Sequence, residues 1–536
     1  MMFKAAVAQL GFWVGDIAGN VDRVIRAGVK ARDELRADLL VCPEMCLLGS
    51  PADDLLSRPA VGKTIATGVE RLLRELHGIT VVVGLPEFTP QHQVYNAAIA
   101  FRDGALLARY RKQLLPSDGV FDEGRHIHAG GDAAVFEFKG VQVGLCIGED
   151  TWQPGPIRAA RQAGAQVIIS LNASPFTRTR RTDRRGMLAT RCEESALPIL
   201  YVNTVGGQDE LVFDGASCAV DAKGELSFQA PACVEGVFTC DYADGTFTGD
   251  QAADDSEDAA VYKALVLATR DYVDRNGFKG ALVGLSGGID SGLVAAIATD
   301  ALGADRVWAV SLPSRYTSDM SNDDARAESE ALGIHYSVLA IDPVVSAATA
   351  VLASSFEGRE PDVTEENLQA RARGVLLMAL SNKFGHVVLE TGNKSESAVG
   401  YATLYGDTCG GFAPITDVYK TLVYRLARYR NSLSPVIPER VLNRAPSAEL
   451  RPDQKDSDSL PPYDELDAVL EAYVDDIRSI DSIVADGHDR ETVKRIAALV
   501  RQAEYKRRQC PPGPKVSRRA FGRERSYPIT AVYGDL

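Results

Sequence analysis

Leu285-Ser286-Gly287-Gly288-Ile289-Asp290-Ser291 is the stretch on which the reading of the fold turns. It follows a short apolar run, Ala281–Leu285, and opens an Ala-rich segment from Asp290 to about Leu302. Apolar run, glycine turn and helix start together make the strand–turn–helix unit from which doubly wound parallel sheets are assembled. Glycines let the backbone approach a ligand closely, and the N–H groups at a helix start face an anion. Ser286 and Ser291 add hydroxyl donors to the same concavity. This is not the Walker pattern, which ends in Gly-Lys-Ser/Thr. Asp290 would repel a phosphate unless a divalent cation stood between them, so its presence points to Mg²⁺. An ordinary strand–helix turn capped by Asp290 is the competing reading, and the seven-residue context weighs against it.

Working outward, a helix is expected over Ala259–Asn276 and further strands over Arg306–Leu312 and His386–Glu390. The first 240 residues show a second α/β pattern of short apolar runs ending in polar residues. Ala37–Cys42 ends at Pro43-Glu44, Gln166–Leu171 at Asn172, and Ile199–Val202 at Asn203, while Ala133–Phe138 and Val141–Ile147 flank the turn Lys139-Gly140. Polar residues just past strand ends are where α/β folds place their chemistry. Between the halves, 241–258 carries seven acidic residues and hardly an aliphatic one, and reads as a solvated linker. The expected organisation is 1–240, linker 241–258, and 259–536. The tail from Pro435, rich in Pro, Asp and Arg, is expected to wrap rather than to form a core.

A length of 536 residues alone suggests about three folding units. A hydrophobic share of 45% with 24% charged residues excludes a disordered or fibrous chain. The net charge of −15 argues against nucleic acid as a partner. No apolar run approaches the roughly 18 residues of a membrane span, and no secretory signal is visible at Met1–Leu10. The nine cysteines show no zinc-type or redox spacing, so a cytoplasmic enzyme with reduced thiols is expected.

The loop at Leu285–Ser291 resembles the pyrophosphate-binding loop of the ATP pyrophosphatase family. Leu312–Ser318, Glu366–Arg373, Glu390–Glu396, Gly406-Asp407, Tyr419–Thr421, Pro446–Pro452 and Tyr505–Gln509 together look like the NAD synthetase branch, in order over most of 260–527. The resemblance implies an α/β fold with a doubly wound parallel sheet and ATP as a substrate. It implies adenylation of the nicotinate carboxylate of deamido-NAD, with AMP then displaced by ammonia. It assigns ATP and pyrophosphate to Gly284, Leu285, Ser286, Gly287, Gly288, Ile289, Asp290, Ser291, Thr391 and Lys420. It assigns deamido-NAD to Asn367, Arg371, Glu396 and Lys506, and Mg²⁺ to Asp290 and Glu396. A GMP or asparagine synthetase is the competing ATP pyrophosphatase, and a binding protein with both sites dead is a further alternative.

Residues 1–240 resemble the nitrilase fold, an α-β-β-α sandwich whose members hydrolyse amides with Glu, Lys and Cys. Glutamine-dependent NAD synthetases carry such a domain to release ammonia. Cys42-Pro43-Glu44, Tyr110-Arg111-Lys112, Asn172–Phe176 and Gly206–Gly215 carry the match. Glu44 then fits the general base and Lys112 the oxyanion cation. In the matching stretch Val143-Gly144-Leu145-Cys146-Ile147-Gly148-Glu149-Asp150, however, the nucleophile's position holds Gly148. Cys146, about 6.6 Å back along the strand on what reads as the same face, is expected to be structural. At the glutamine-contacting positions the family's Tyr is Asp118, its Lys is Arg180, and Ser174 is kept. The expectation is a degenerate glutaminase, with free ammonia as the nitrogen source and glutamine as the alternative. A homo-oligomer is what the resemblance implies.

Overall fold

The computed structural model describes residues 2–117, 119–452, 454–458 and 460–531. They form two compact units, one reaching residue 255 apart from 209–211, the other made of 209–211 and everything from Ser256 onward. The length prior of three is one too many.

The strands of the first unit are β1 (Met2–Gln9), β2 (Leu39–Val41), β3 (Thr80–Phe88), β4 (Val94–Arg102), β5 (Ala105–Arg111), β6 (Val135–Phe138), β7 (Val141–Ile147), β8 (Val167–Asn172), β9 (Ile199–Asn203), β10 (Val205–Gln208), β11 (Leu211–Asp214), β12 (Cys218–Val220), β13 (Leu226–Gln229), β14 (Gly236–Ala243) and β15 (Thr246–Gly249). Its helices are α1 (Ile17–Asp33), α2 (Pro59–Glu75), α3 (Pro154–Gln162) and α4 (Arg180–Ser195). Among the described residues one sheet has seven strands in the order β15-β14-β1-β2-β3-β4-β5, and the other six in the order β13-β12-β9-β8-β7-β6. Side chains alternate across each strand and so build three apolar layers. Ala5, Val7, Val41, Val143, Leu145 and Ile169 fill the space between the sheets. Ala6, Ala8 and Leu40 pack outward with Val24 of α1 and Leu72 of α2. Cys146 and Ile168 pack outward with Ile157 of α3 and Leu188 of α4. Helix, sheet, sheet, helix is the resulting order, as the resemblance implies.

The second unit contains α5 (Glu257–Arg275), β16 (Ala281–Gly284), α6 (Ile289–Leu302), β17 (Val307–Ser311), α7 (Asp319–Leu332), β18 (His335–Val338), α8 (Asp342–Leu352), α9 (Val363–Phe384), β19 (Val387–Leu389), α10 (Lys394–Val399), α11 (Lys420–Leu433), α12 (Glu439–Asn443) and α13 (Tyr463–Leu470). The parallel sheet has the order β18-β17-β16-β19. The chain leaves β16 toward one neighbour and returns later on the other side. Such a switch point opens a crevice beyond the strand's carboxyl end, and Gly284–Ser291 lies there.

Two expectations fail. The span 241–258 is no linker: β14 runs antiparallel to β1 with Asp241 opposite Lys4, β15 pairs with β14, and Ser256 caps α5 by accepting the Ala259 N–H. The tail forms a core of its own, in which Leu466, Val469, Leu470, Ile483, Ile496 and Val500 are buried together.

Candidate functional site

In the second unit the Gly284–Ser291 loop is held by its own hydroxyls. Ser291 Oγ accepts the Ser286 N–H at 3.2 Å and lies 3.0 Å from Ser286 Oγ, which accepts the Gly288 N–H at 3.2 Å. Gly287 has φ +78°, and a Cβ there would come 2.2 Å from the Ser321 carbonyl oxygen, so the turn requires glycine. The loop opens onto a cavity of about 260 Å³ lined also by Leu312, Arg373, Glu390, Thr391 and Arg444. An adjoining cavity of about 190 Å³ is lined by Asp290, Thr391, Glu396, Tyr401, Lys420 and Asp456.

Lys420, at the start of α11, joins the acidic residues. Its Nζ lies 2.5 Å from Asp290 Oδ2 and 3.2 Å from Glu396 Oε1. Asn393 caps α10 through its Oδ1 and donates Nδ2–H to Asp290 Oδ1 at 2.9 Å, so one residue sets both carboxylates. Burial opposes the charge on Lys420, but Asp290 and Glu396 outweigh it and hold the ammonium above its ordinary range. Burial, against the pull of Lys420, pushes the Glu396 carboxyl up to about 7. Burial also raises Glu390 to about 8. Among the described residues no group of three or more His, Cys, Asp or Glu is arranged to hold a metal. Asp290 and Glu396 are two hard oxygen donors facing one cavity, and phosphate oxygens would complete the set Mg²⁺ takes. The pair fits that ion.

Asn367, Arg371 and Lys506 gather on one loop instead. Asn367 Oδ1 accepts the Thr403 hydroxyl at 2.8 Å, Arg371 Nε–H reaches the Leu404 carbonyl at 3.1 Å, and Lys506 Nζ donates to the Gly400 and Ala402 carbonyls at 2.8 Å. Among the described residues lining the two cavities, Glu396 is present and these three are not. Sequence reasoning missed Arg444, which donates to the Gly287 carbonyl at 3.0 Å and to Ser321 Oγ at 3.1 Å. Its signal was its place two residues before the quoted Pro446–Pro452.

In the first unit, Glu44, Lys112, Gly148 and Ser174 all lie just past strand ends. Lys112 Nζ is 2.9 Å from Glu44 Oε1 and 2.7 Å from Glu123 Oε1. Asn96 Nδ2–H donates to Glu44 Oε1 at 2.7 Å, and the Ala173 N–H to Glu44 Oε2 at 2.9 Å. Burial pushes Glu123, which sequence reasoning gave no role, up to about 7 although Lys112 opposes it. A Cβ on Gly148 would lie 2.9 Å from Glu44 Oε2 and 3.0 Å from Lys112 Nζ. Gly148 therefore faces both Glu44 and Lys112 and presents no side chain to either.

Cys146 is not on that face, contrary to the alternation expected from sequence. Gly148 has left the strand with φ +50°, while Cys146 is sealed between β7 and the outer helices, its thiol pushed well up by burial. Arg180 Nε–H donates to Ser174 Oγ at 3.2 Å, and its guanidinium lies 3.9 Å from the Trp152 ring centroid. Asp118 lies outside the described residues.

One chain thus joins an α-β-β-α sandwich to a parallel sheet with a crevice at its switch point. The Carbon-nitrogen hydrolase family matches residues 4–244, and the NAD synthase family matches 261–510. A protein of Xanthomonas campestris pv. campestris named glutamine-dependent NAD(+) synthetase is 50% identical over 99% of this chain and 98% of its own length. The structure of glutamine-dependent NAD+ synthetase from Acinetobacter baumannii in complex with ADP superposes with a TM-score of 0.82 at 43% identity, covering 99% of this chain and 98% of that one. One from Cytophaga hutchinsonii, at 20% identity over 99% and 98% of the two chains, shares the fold with a TM-score of 0.86. The chain belongs to the glutamine-dependent NAD(+) synthetase family. Among the described residues no helix is long and apolar enough to cross a membrane.

Proposed function

We propose that this chain converts deamido-NAD to NAD in two steps. The nicotinate carboxylate oxygen attacks the α-phosphorus of ATP, and pyrophosphate leaves with the electrons of the Pα–O bond. Ammonia nitrogen then attacks the acyl carbon, AMP departs with the C–O bond electrons, and the surplus protons go to solvent. The observation that carries this reading is the convergence of the Gly284–Ser291 loop, Thr391 and the Lys420–Asp290–Glu396 group on adjoining cavities. The N–H groups at the start of α6 face the departing pyrophosphate. Lys420 and Arg444 neutralise charge that grows as the phosphate bond breaks. Mg²⁺, held by Asp290 and Glu396, would supply further charge neutralisation on the phosphates. Asn367, Arg371, Glu396 and Lys506 are proposed to bind deamido-NAD. The assay is deamido-NAD-dependent exchange of labelled pyrophosphate into ATP; its absence overturns the reading.

For the nitrogen source the two kinds of observation pull apart. The relatives are named for glutamine, and this supports glutamine hydrolysis better than the free ammonia expected from sequence. One observation favours free ammonia as the second reading: Gly148 leaves Glu44 and Lys112 without a nucleophile between them. A glutamine-supported rate near the ammonium-supported one establishes the first reading; a ratio of a few per cent or less establishes the second. A homo-oligomer belongs to the same proposal, as the family resemblance implies. So does a cytoplasmic location, supported by nine cysteines, none of which forms a disulfide among the described residues.

A further inference from the structure

Lys420 and Glu396 meet across two helix starts, and neither helix by itself fixes the distance between them. A third helix does. Asp467, on α13, is 5% exposed. Its Oδ2 accepts the Thr421 N–H at 2.8 Å, and its Oδ1 accepts the Ser395 hydroxyl at 2.5 Å. The same Ser395 Oγ accepts the Lys420 N–H at 2.9 Å. The first turn of α11, bearing Lys420, and the first turn of α10, bearing Glu396, are thus tied through one carboxylate. One turn earlier on α13, Tyr463 sets its ring centroid 5.3 Å from Lys420 Nζ, and its hydroxyl donates to Asp456 at 2.9 Å. Neither Asp467 nor Ser395 lines either cavity among the described residues.

We propose that Asp467, acting through Ser395, is a positioning residue that sets the Lys420 ammonium against the Glu396 carboxylate for phosphate chemistry. The proposal rests on the NAD synthetase reading. Both backbone N–H groups at the start of α11 end directly or through Ser395 on this one side chain. Bonds to an ionised acceptor are roughly twice as strong as neutral ones, so the carboxylate holds the helix start stiffly. Misplacement of a catalytic group by about 1 Å costs on the order of a hundredfold in rate, so stiffness here has a kinetic consequence. A plain helix cap would stabilise α11 equally well but would have no reason to engage Ser395.

The test uses the full chain with saturating ammonium and deamido-NAD, measuring NAD formation against Mg·ATP concentration. A parent protein that forms no NAD overturns the functional reading, and this proposal with it. With an active parent, Asp467→Asn and Ser395→Ala are each expected to lower kcat/KM for Mg·ATP about tenfold per folded molecule. The double variant should be no worse than the worse single one. Val469→Ala, buried on the same helix, is the control for general loosening. It should lower Tm and leave kcat/KM for Mg·ATP within about twofold of the parent. Ser395→Ala carries the test where Asp467→Asn does not fold. A parental kcat/KM in Ser395→Ala, additive losses in the double variant, or an equal loss in Val469→Ala overturns the proposal.

Discussion

Gly148 carries the second reading of the nitrogen source, in which the glutamine route is proposed to be closed while its surroundings stay in place. Glu44, Lys112, Glu123 and Asn96 stay hydrogen-bonded to one another around a backbone with no side chain to attack. On that second reading an electrophilic glutamine analogue should leave the parent protein's intact mass unchanged, and an adduct on the parent would overturn it. Gly148→Cys should take up one adduct, at a cost of roughly 1–3 kcal/mol because φ there is +50°. Its glutamine turnover should stay below the ammonium-supported rate, since Asp118 and Arg180 remain. At Lys420 the logic reverses, because removing the cation leaves Asp290 and Glu396 facing each other. Lys420→Met should lose about 10²–10³ in kcat and several degrees in Tm. Added Mg²⁺ should raise the Tm of that variant more than that of the parent, as thermal melts would show; equal shifts would deny the carboxylate pair a role in holding the ion.

Elements were legible where one periodicity dominated. The strands β7, β8, β9 and β16 are short segments rich in Val, Ile and Leu, and the sequence located them within a residue or two. The acidic stretch misled because charge density was weighed instead of period. Cys240 and Tyr242 are buried while Asp241 between them is exposed, the alternation of a half-buried strand. The tail misled for a similar reason, since Leu466, Val469, Leu470 and Val474 keep helical spacing beneath a polar composition. Asp467 was out of reach, because what it touches depends on Thr421 and Ser395, dozens of residues away. Packing also sets a pH response. Glu328 on α7 is fully buried, and neither carboxyl oxygen has a hydrogen-bond partner among the described residues. Burial, with the nearby Asp324 charge, raises it to about 8 from an ordinary value of 4.5. Ionisation then favours the unfolded chain between those pH values, so stability falls as pH rises from about 4.5 to about 8. Glu328→Gln should match the parent in unfolding free energy at pH 4 and exceed it at pH 8.5, by on the order of 2 kcal/mol. An equal difference at both pH values would contradict this.

At the scale of the whole molecule, an acidic chain of net charge −15 that is proposed to bind two anionic nucleotides has to concentrate cations locally. Lys420 and Arg444 stand at the crevice, while Arg371 and Lys506 brace the neighbouring 400–404 loop. The family resemblance was carried by ordered motifs spread along both halves, which is why it survived errors over the linker and the tail. The most direct measurement incubates the purified full chain with Mg·ATP, deamido-NAD and ammonium, quantifying every nucleotide product, with a parallel glutamine arm. The account expects NAD, AMP and pyrophosphate in equal amounts, and none of them without deamido-NAD. ADP with phosphate in place of AMP with pyrophosphate, or no NAD with either nitrogen donor, would contradict it.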